Sequence, residues 1–268
     1  MSIITLLTDF GTADYFAGAL RGAILSVNPQ AHVADITHEI PAHDIEAGAF
    51  TLLAAYSSFP PQTIHLAVVD PGVGSARRPL LVAAREHFFV GPDNGLFSYV
   101  CEREPGVRVY QLTNEKFFRM QVSATFHGRD IFAPVAGALS KKVSPEEFGE
   151  LVEDYVRLAP LAPVREHDAS AAWSAKIIHI DRFGNLITNI TRRELAGAEF
   201  QQGARLDVGG RAINSFRSFY AEETTAAASE LFAIWGSAGF LEIAADRASA
   251  ARLLRAERGQ AVRVAPLE

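Results

Sequence analysis

Over roughly the first 150 residues, short runs rich in β-branched residues alternate with amphipathic stretches. That alternation is how a mostly parallel sheet covered by helices is written in sequence. Candidate strands are Ile3–Thr8, His32–Ile36, Ile64–Val69, Leu80–Ala84, Phe88–Val90 and Val107–Leu112. Between the first two, Phe16, Leu20, Ile24 and Val27 recur at helical spacing until Asn28-Pro29, where proline stops a helix. Asp44 can cap a second helix whose Ile45, Ala49, Leu52, Leu53 and Tyr56 share a face before Phe59-Pro60-Pro61.

The pattern changes after Val156, where VRLAPLAPVREHDASAAW has no periodicity and reads as a linker. Beyond it, short runs at Lys176–Ile180, Leu186–Ile190, Ala204–Val208, Leu231–Trp235 and Phe240–Ala244 are separated by turn signals, with one helix near Ala248–Glu257. The expected architecture is therefore an N-terminal α/β domain over 1–158, a linker over 159–173 and a smaller antiparallel β barrel or sandwich over 174–268. The 268 residues, 49% hydrophobic, suffice for two cores. A lone Cys101 excludes an internal disulfide, and no run approaches the roughly 18 apolar residues of a membrane span. The opening MSIITLLTDFGT reads as a buried strand and not as a signal peptide, which points to the cytoplasm. A net charge of −6, with no basic run longer than two residues, argues against nucleic acid as a partner.

In open α/β sheets, ligands sit beyond the carboxyl ends of strands. In LLTDFGTAD, Asp9 ends a strand and Asp14 stands at the mouth of the following helix. A carboxylate there can accept both hydroxyls of a ribose, although turns and helix caps use the same residue. In VVDPGVGSARRPL a buried strand delivers Asp70 into a glycine loop followed by Arg77. The loop lacks a Gly-Lys-Ser/Thr ending and GxGxxG register, so a nucleotide-phosphate site is excluded on context, while an Asp70–Arg77 pair that merely holds the turn stays open. TFHGRDIF carries His127 just before a helical stretch ending near Lys141. None of the eight histidines has metal-ligand spacing and no GxSxG elbow is present, so neither zinc nor a serine nucleophile is indicated. In IHIDRFGNLITNI, Asp181, Phe183 and Asn185 occupy a turn. Phe183 offers a stacking face and Asn185 a donor–acceptor pair that can read an adenine edge, and a plain hairpin turn would look the same.

Together these stretches, with GPDNGLFSYV and GSAGFLEIA, resemble the S-adenosyl-L-methionine hydrolases, also called hydroxide adenosyltransferases, relatives of the fluorinating and chlorinating enzymes. The resemblance covers nearly the whole chain and keeps the order of the motifs. It implies hydrolysis of S-adenosyl-L-methionine to adenosine and L-methionine without cofactor or metal, by water attacking C5′. It further implies that Asp70, Arg77 and His127 surround that water, that Asp9 holds the ribose diol, and that Asp14 and Asp181 lie near the methionine ammonium. Phe183 and Asn185 would take the adenine, Tyr220 would lie by the adenosine, and Ser237 would contact methionine. The family commonly forms homotrimers with sites between subunits, and the same is expected here.

Two departures stand out. Halogenating relatives carry Tyr where Asp70 stands, and a carboxylate repels a halide. The family usually shows Asn before the late serine, where this chain has Gly236, and the halogenase arginine after that serine is Ala238. The chemistry suits the residues, because attack at C5′ displaces a neutral thioether and the burden falls on the nucleophile. Arg77 supplies a fixed cation while Asp70 and His127 orient the water and take its proton, with either able to be the base. A carboxylate beside an arginine is a weak base, which favours His127 as proton acceptor near neutral pH. The rival expectations are a halide-dependent adenosyl halogenase, a protein that binds an adenosyl ligand without turning it over, and a generic phosphate-binding α/β protein.

Overall fold

Strand β1 (Ile3–Thr8) is buried at every residue but the first, as expected of a strand covered on both faces. Helix α1 (Phe16–Val27) turns Ala17, Leu20, Ala23 and Ile24 inward and ends at Asn28, leading to β2 (His32–Thr37). Asp44 caps α2 (Ile45–Ala55) by accepting the Ala47 N–H at 2.9 Å. There follow β3 (Thr63–Val68), β4 (Pro79–Ala83), β5 (His87–Pro92), α3 (Ser98–Arg103), β6 (Arg108–Leu112), α4 (Ala133–Leu139) and β7 (Gly149–Leu151). In this computed structural model, residues 2–166, 171–221 and 230–267 are described. The chain divides into two compact units, Met1–Pro160 and Leu161–Glu268.

The sheet of the first unit has the order β2-β1-β3-β5-β4-β6-β7. Its β2-β1-β3-β5 half is parallel, and the rest is antiparallel because β4 folds back on β5 through a short turn. Ile4, Leu6, Leu66 and Val68 join Leu20, Ile24, Val135 and Leu139 in one core, so α1 and α4 cover one face. Residues of opposite parity, Leu7 and Val69, lie against Gly48 of α2 on the other. Thr8 is in register with Val68. Asp9 and Asp70, one and two residues further on, therefore emerge at the same carboxyl edge of the sheet.

The second unit holds β8 (Val164–Arg165), β9 (Trp173–Ile180), β10 (Leu186–Thr191), β11 (Ala204–Val208), β12 (Arg211–Ile213), β13 (Phe216–Arg217), β14 (Leu231–Trp235), β15 (Phe240–Ala245), α5 (Ala250–Leu254) and β16 (Ala261–Pro266). They form one sheet of order β12-β11-β16-β9-β10-β15-β14-β13, with β8 also on β9. Every described pairing is antiparallel except β13–β14. Ile213 of β12 and Ala233 of β14, near opposite ends of that order, share one core, so the sheet curls on itself. Within the expected linker, β8 pairs with β9 and the Leu161 carbonyl accepts from Asn189 Nδ2 at 2.7 Å. Residues 167–170 of that stretch lie outside the described residues.

Candidate active site

The loop after β3 is built around Asp70. Val73 N–H donates to the Asp70 carbonyl and Ser75 N–H to that of Gly72, giving two successive tight turns that send the chain back on itself. Gly74 has φ +78°, and a Cβ there would lie 2.2 Å from the Ala124 carbonyl oxygen, so glycine lets the loop press against the segment before His127. Within the loop, Arg77 Nε lies 3.0 Å from each Asp70 carboxylate oxygen, and Nη2 donates to Oδ2 as well. Both side chains are almost completely buried, at 9% and 5% exposed. The guanidinium also lies over the Phe132 ring, 5.1 Å from its centroid.

Arg77 does more than hold the turn. Its Nη2 sits 2.8 Å from His127 Nδ1, joining residues fifty positions apart. His127 precedes a π-type turn over Gly128–Phe132 that runs into α4. Asp130 in that turn is fully buried; it accepts from Arg129 twice and from Ser123 N–H. Burial raises the Asp130 carboxyl, but these donors hold it below the usual carboxylate range. A guanidinium only donates, so His127 Nδ1 must accept and the neutral ring carries its proton on Nε2. Burial, and then the Arg77 charge, push the His127 imidazole below its ordinary value. The ring is thereby set as a neutral N–H donor, with its basic lone pair already engaged. Of the two proton acceptors that the sequence leaves open, this geometry leaves Asp70 the freer one, and sequence carries no information on which nitrogen the arginine occupies.

Asp9, at 9% side-chain exposure, accepts the His43 N–H at 2.9 Å. Asp14 is exposed and does not cap α1, whose first turn has no side-chain cap bond. Neither residue belongs to the Asp70–Arg77–His127 cluster.

In the second unit, Asp181 organises the turn between β9 and β10. Its Oδ1 accepts from Phe183 N–H and Asn185 N–H at 2.9 and 2.8 Å, and its Oδ2 from Asn185 Nδ2 at 2.9 Å. The carboxylate is largely used by its own turn, which buries Asn185 and leaves the Phe183 ring 77% exposed as a stacking face. Tyr220 is half exposed, and its hydroxyl donates to Glu242 Oε2 at 2.9 Å. Burial, with the nearby Glu242, raises the Tyr220 phenol. Burial raises the Glu242 carboxyl too, and the charge of Asp181 adds to the effect. Ser237 stands exposed in the β14–β15 hairpin. A Cβ on the preceding Gly236 would lie 1.7 Å from Glu242 Oε1, so this glycine leaves room for the carboxylate that Tyr220 binds.

Sequence reasoning passed over Phe132 against Arg77, Glu242 beside Tyr220, and Asp130 in the turn after His127. Asp130 had a local signal, as an acid beside Arg129 in the His127 stretch; Glu242 had none, because its partner is 22 positions away.

A family described as the SAM hydroxide adenosyltransferase N-terminal domain matches residues 4–149, and the corresponding C-terminal domain matches residues 175–263. The (R)-S-adenosyl-L-methionine hydrolase of Salinispora arenicola is 35% identical over 263 residues, 97% of this chain and 97% of its own. That of Methanocaldococcus jannaschii is 38% identical over 200 residues, 73% of this chain and 69% of its own. Fluorinases are similar at 23% to 26% identity. The crystal structure of an uncharacterized conserved protein from Thermotoga maritima aligns with a TM-score of 0.88 and 32% identity, covering 97% of this chain and 99% of that one.

Proposed function

Because this chain belongs to the SAM hydroxide adenosyltransferase family, we propose that it hydrolyses S-adenosyl-L-methionine, with Asp70, Arg77 and His127 managing the attacking water. The supporting observation is that one buried arginine binds both partners at the sheet edge where Asp9 also emerges. The water oxygen forms a bond to C5′ as the C5′–S bond breaks, and the bonding pair returns to sulfur. Sulfonium becomes neutral thioether, so the leaving group needs neither a proton nor a metal. The proton lost from water goes to the Asp70 carboxylate, which has acceptor capacity beyond its bonds to Arg77, and then to solvent. His127 Nε2–H steadies the attacking oxygen, and Arg77 holds positive charge beside it. Arg77 Nη1 is buried with no hydrogen-bond partner among the described residues, which leaves the guanidinium a donor to spare. Fixed donors of this kind lower the barrier by about 3–4 kcal/mol each.

The substrate-side reading follows the same family. Asp9 takes the ribose diol, Phe183 stacks on the adenine read by Asn185, Tyr220 lies by the adenosine, and Ser237 meets methionine. Asp14 and Asp181 lie toward the ammonium, although Asp181 has little acceptor capacity left. Three copies assemble in the cytoplasm, with each site completed by neighbouring subunits; light scattering should then return three times the 29.1 kDa of one chain.

The decisive experiment is incubation with S-adenosyl-L-methionine in ¹⁸O-water, with and without chloride or fluoride, followed by mass spectrometry of the nucleoside. Adenosine labelled at the 5′ oxygen is the expected product. A halogenated nucleoside would transfer the chain to the halogenases, and intact substrate after long incubation would leave a binding protein.

A further inference from the structure

We infer that His38 is a positioning residue for the turn that carries Asp9, an inference that rests on Asp9 being the ribose carboxylate. β1 and β2 are parallel neighbours, so Thr8 at the end of one and His38 just past the other meet at the same edge. The Gly11 N–H donates to the His38 carbonyl at 2.7 Å. His38 Nδ1 lies 2.7 Å from Thr8 Oγ1, which itself accepts the Phe10 N–H at 3.2 Å. One residue thus grips the Thr8–Gly11 turn through its backbone at one end and through its ring at the other.

The proton directions agree. Nε2 faces the Asp35 carboxylate, which can only accept, so the ring proton sits on Nε2 and Nδ1 accepts the Thr8 hydroxyl proton while Thr8 Oγ1 accepts from Phe10. Nε2 faces Asp35 Oδ1 at 3.2 Å, off the line of a hydrogen bond, so this contact is electrostatic. Asp35 is paired in turn with Arg21 of α1. The ring is 4% exposed, and its loss would leave the Thr8 hydroxyl without its acceptor and a gap beneath the turn.

Asp9 itself has little to hold it, since the His43 N–H is its one hydrogen bond among the described residues. The aim of its carboxylate is therefore set by the backbone of the turn, and His38 sets that backbone. The cluster around Arg77 lies on other segments and does not depend on it. Loss of His38 should accordingly weaken capture of the adenosyl group while sparing the attack on C5′.

The test compares wild type, His38→Ala, His38→Asn and Thr8→Val in steady-state hydrolysis and in amide hydrogen exchange of residues 8–11 without substrate. One lost hydrogen bond at a buried partner corresponds to about tenfold in an equilibrium. H38A and T8V should raise KM about tenfold with kcat within about threefold, and should speed exchange at Phe10 and Gly11. H38N, whose Oδ1 can replace Nδ1 as acceptor, should return KM to within about threefold of wild type. T8V keeps its volume and serves if H38A does not fold. A wild-type KM in folded H38A or T8V, or a loss confined to kcat, would overturn the role of His38. Absence of turnover in the wild type would instead overturn the hydrolase reading, with exchange at residues 8–11 still deciding whether His38 holds the turn.

Discussion

Arg77→Met separates the structural work of Arg77 from its chemical work. Methionine preserves much of the volume over Phe132 but removes every N–H that Asp70 and His127 receive from Arg77. Asp70 is 5% exposed, so its charge is then buried without a partner. Breaking a buried pair in this way costs about 3–5 kcal/mol, and at about 2–4 °C per kcal/mol for a unit of this size the midpoint should fall by roughly 6–20 °C. Adding Asp70→Asn removes the stranded charge and should return about half of that loss, at least 1.5 kcal/mol. Turnover should not follow stability back. The single variant should lose about 10²–10³ in kcat because the cation beside the water is gone, and the double variant at least as much, since Asp70→Asn also removes the proton acceptor. Urea unfolding followed by far-ultraviolet circular dichroism, with adenosine release measured on the same preparations, gives both quantities. A loss below about 1 kcal/mol in R77M, or a double variant no more stable than the single, would refute the buried-charge reasoning. A kcat within about threefold of wild type would refute the assignment of the cluster.

His127 predicts the acid limb of the rate profile. Its imidazole lies below the ordinary value of about 6.5, so kcat should be level through neutral pH and fall only below that value, as the proton displaces Arg77 from Nδ1; a rise toward acid would contradict the donor role. His65 predicts stability. Burial, aided by His87, lowers it to about 3, while the unfolded chain titrates near 6.5. Above 6.5 both states are neutral; below it only the unfolded state takes the proton, so stability should drop by about 2.5 kcal/mol between pH 7 and 4.5 from this group. His65→Phe should flatten that dependence in urea titrations, and an unchanged slope would exclude His65 as its source. Gly74→Ala should cost turnover along with at least about 1 kcal/mol, since its Cβ meets the Ala124 backbone in a left-handed conformation; wild-type values for both would mean that the loop has room to shift.

Most elements that create the sheet edge were legible because their signals are local. Proline after Asn28, the Asp44 cap and the mostly apolar, fully buried strand before Asp70 each act within a few residues. The elements passed over lack such signals. Helix α3 is only six residues long and β7 only three, too short for a period to register. β16 lies between β11 and β9 despite being last in sequence, and its Val262 and Val264 alternate with charge and alanine only after a helix and a turn. The reversal of β4 onto β5 was hidden because Ala84-Arg85-Glu86 contains none of the usual hairpin residues. As for the site, the Asp70–Arg77 pair could be read from one loop, but the bond to His127 spans fifty residues. No spacing rule reaches that far, and only the succession of motifs along the chain links His127 to Asp70.

Both tryptophans of the chain, Trp173 and Trp235, fall in the second unit. The unit that carries Asp70, Arg77 and His127 therefore contributes no indole emission of its own. A fluorescence melt would draw its signal from indoles of the second unit, while loss of adenosine production would follow the other half of the molecule as well. Where the two curves separate on heating, the gap between them is a direct optical reading of how independently the two halves come apart.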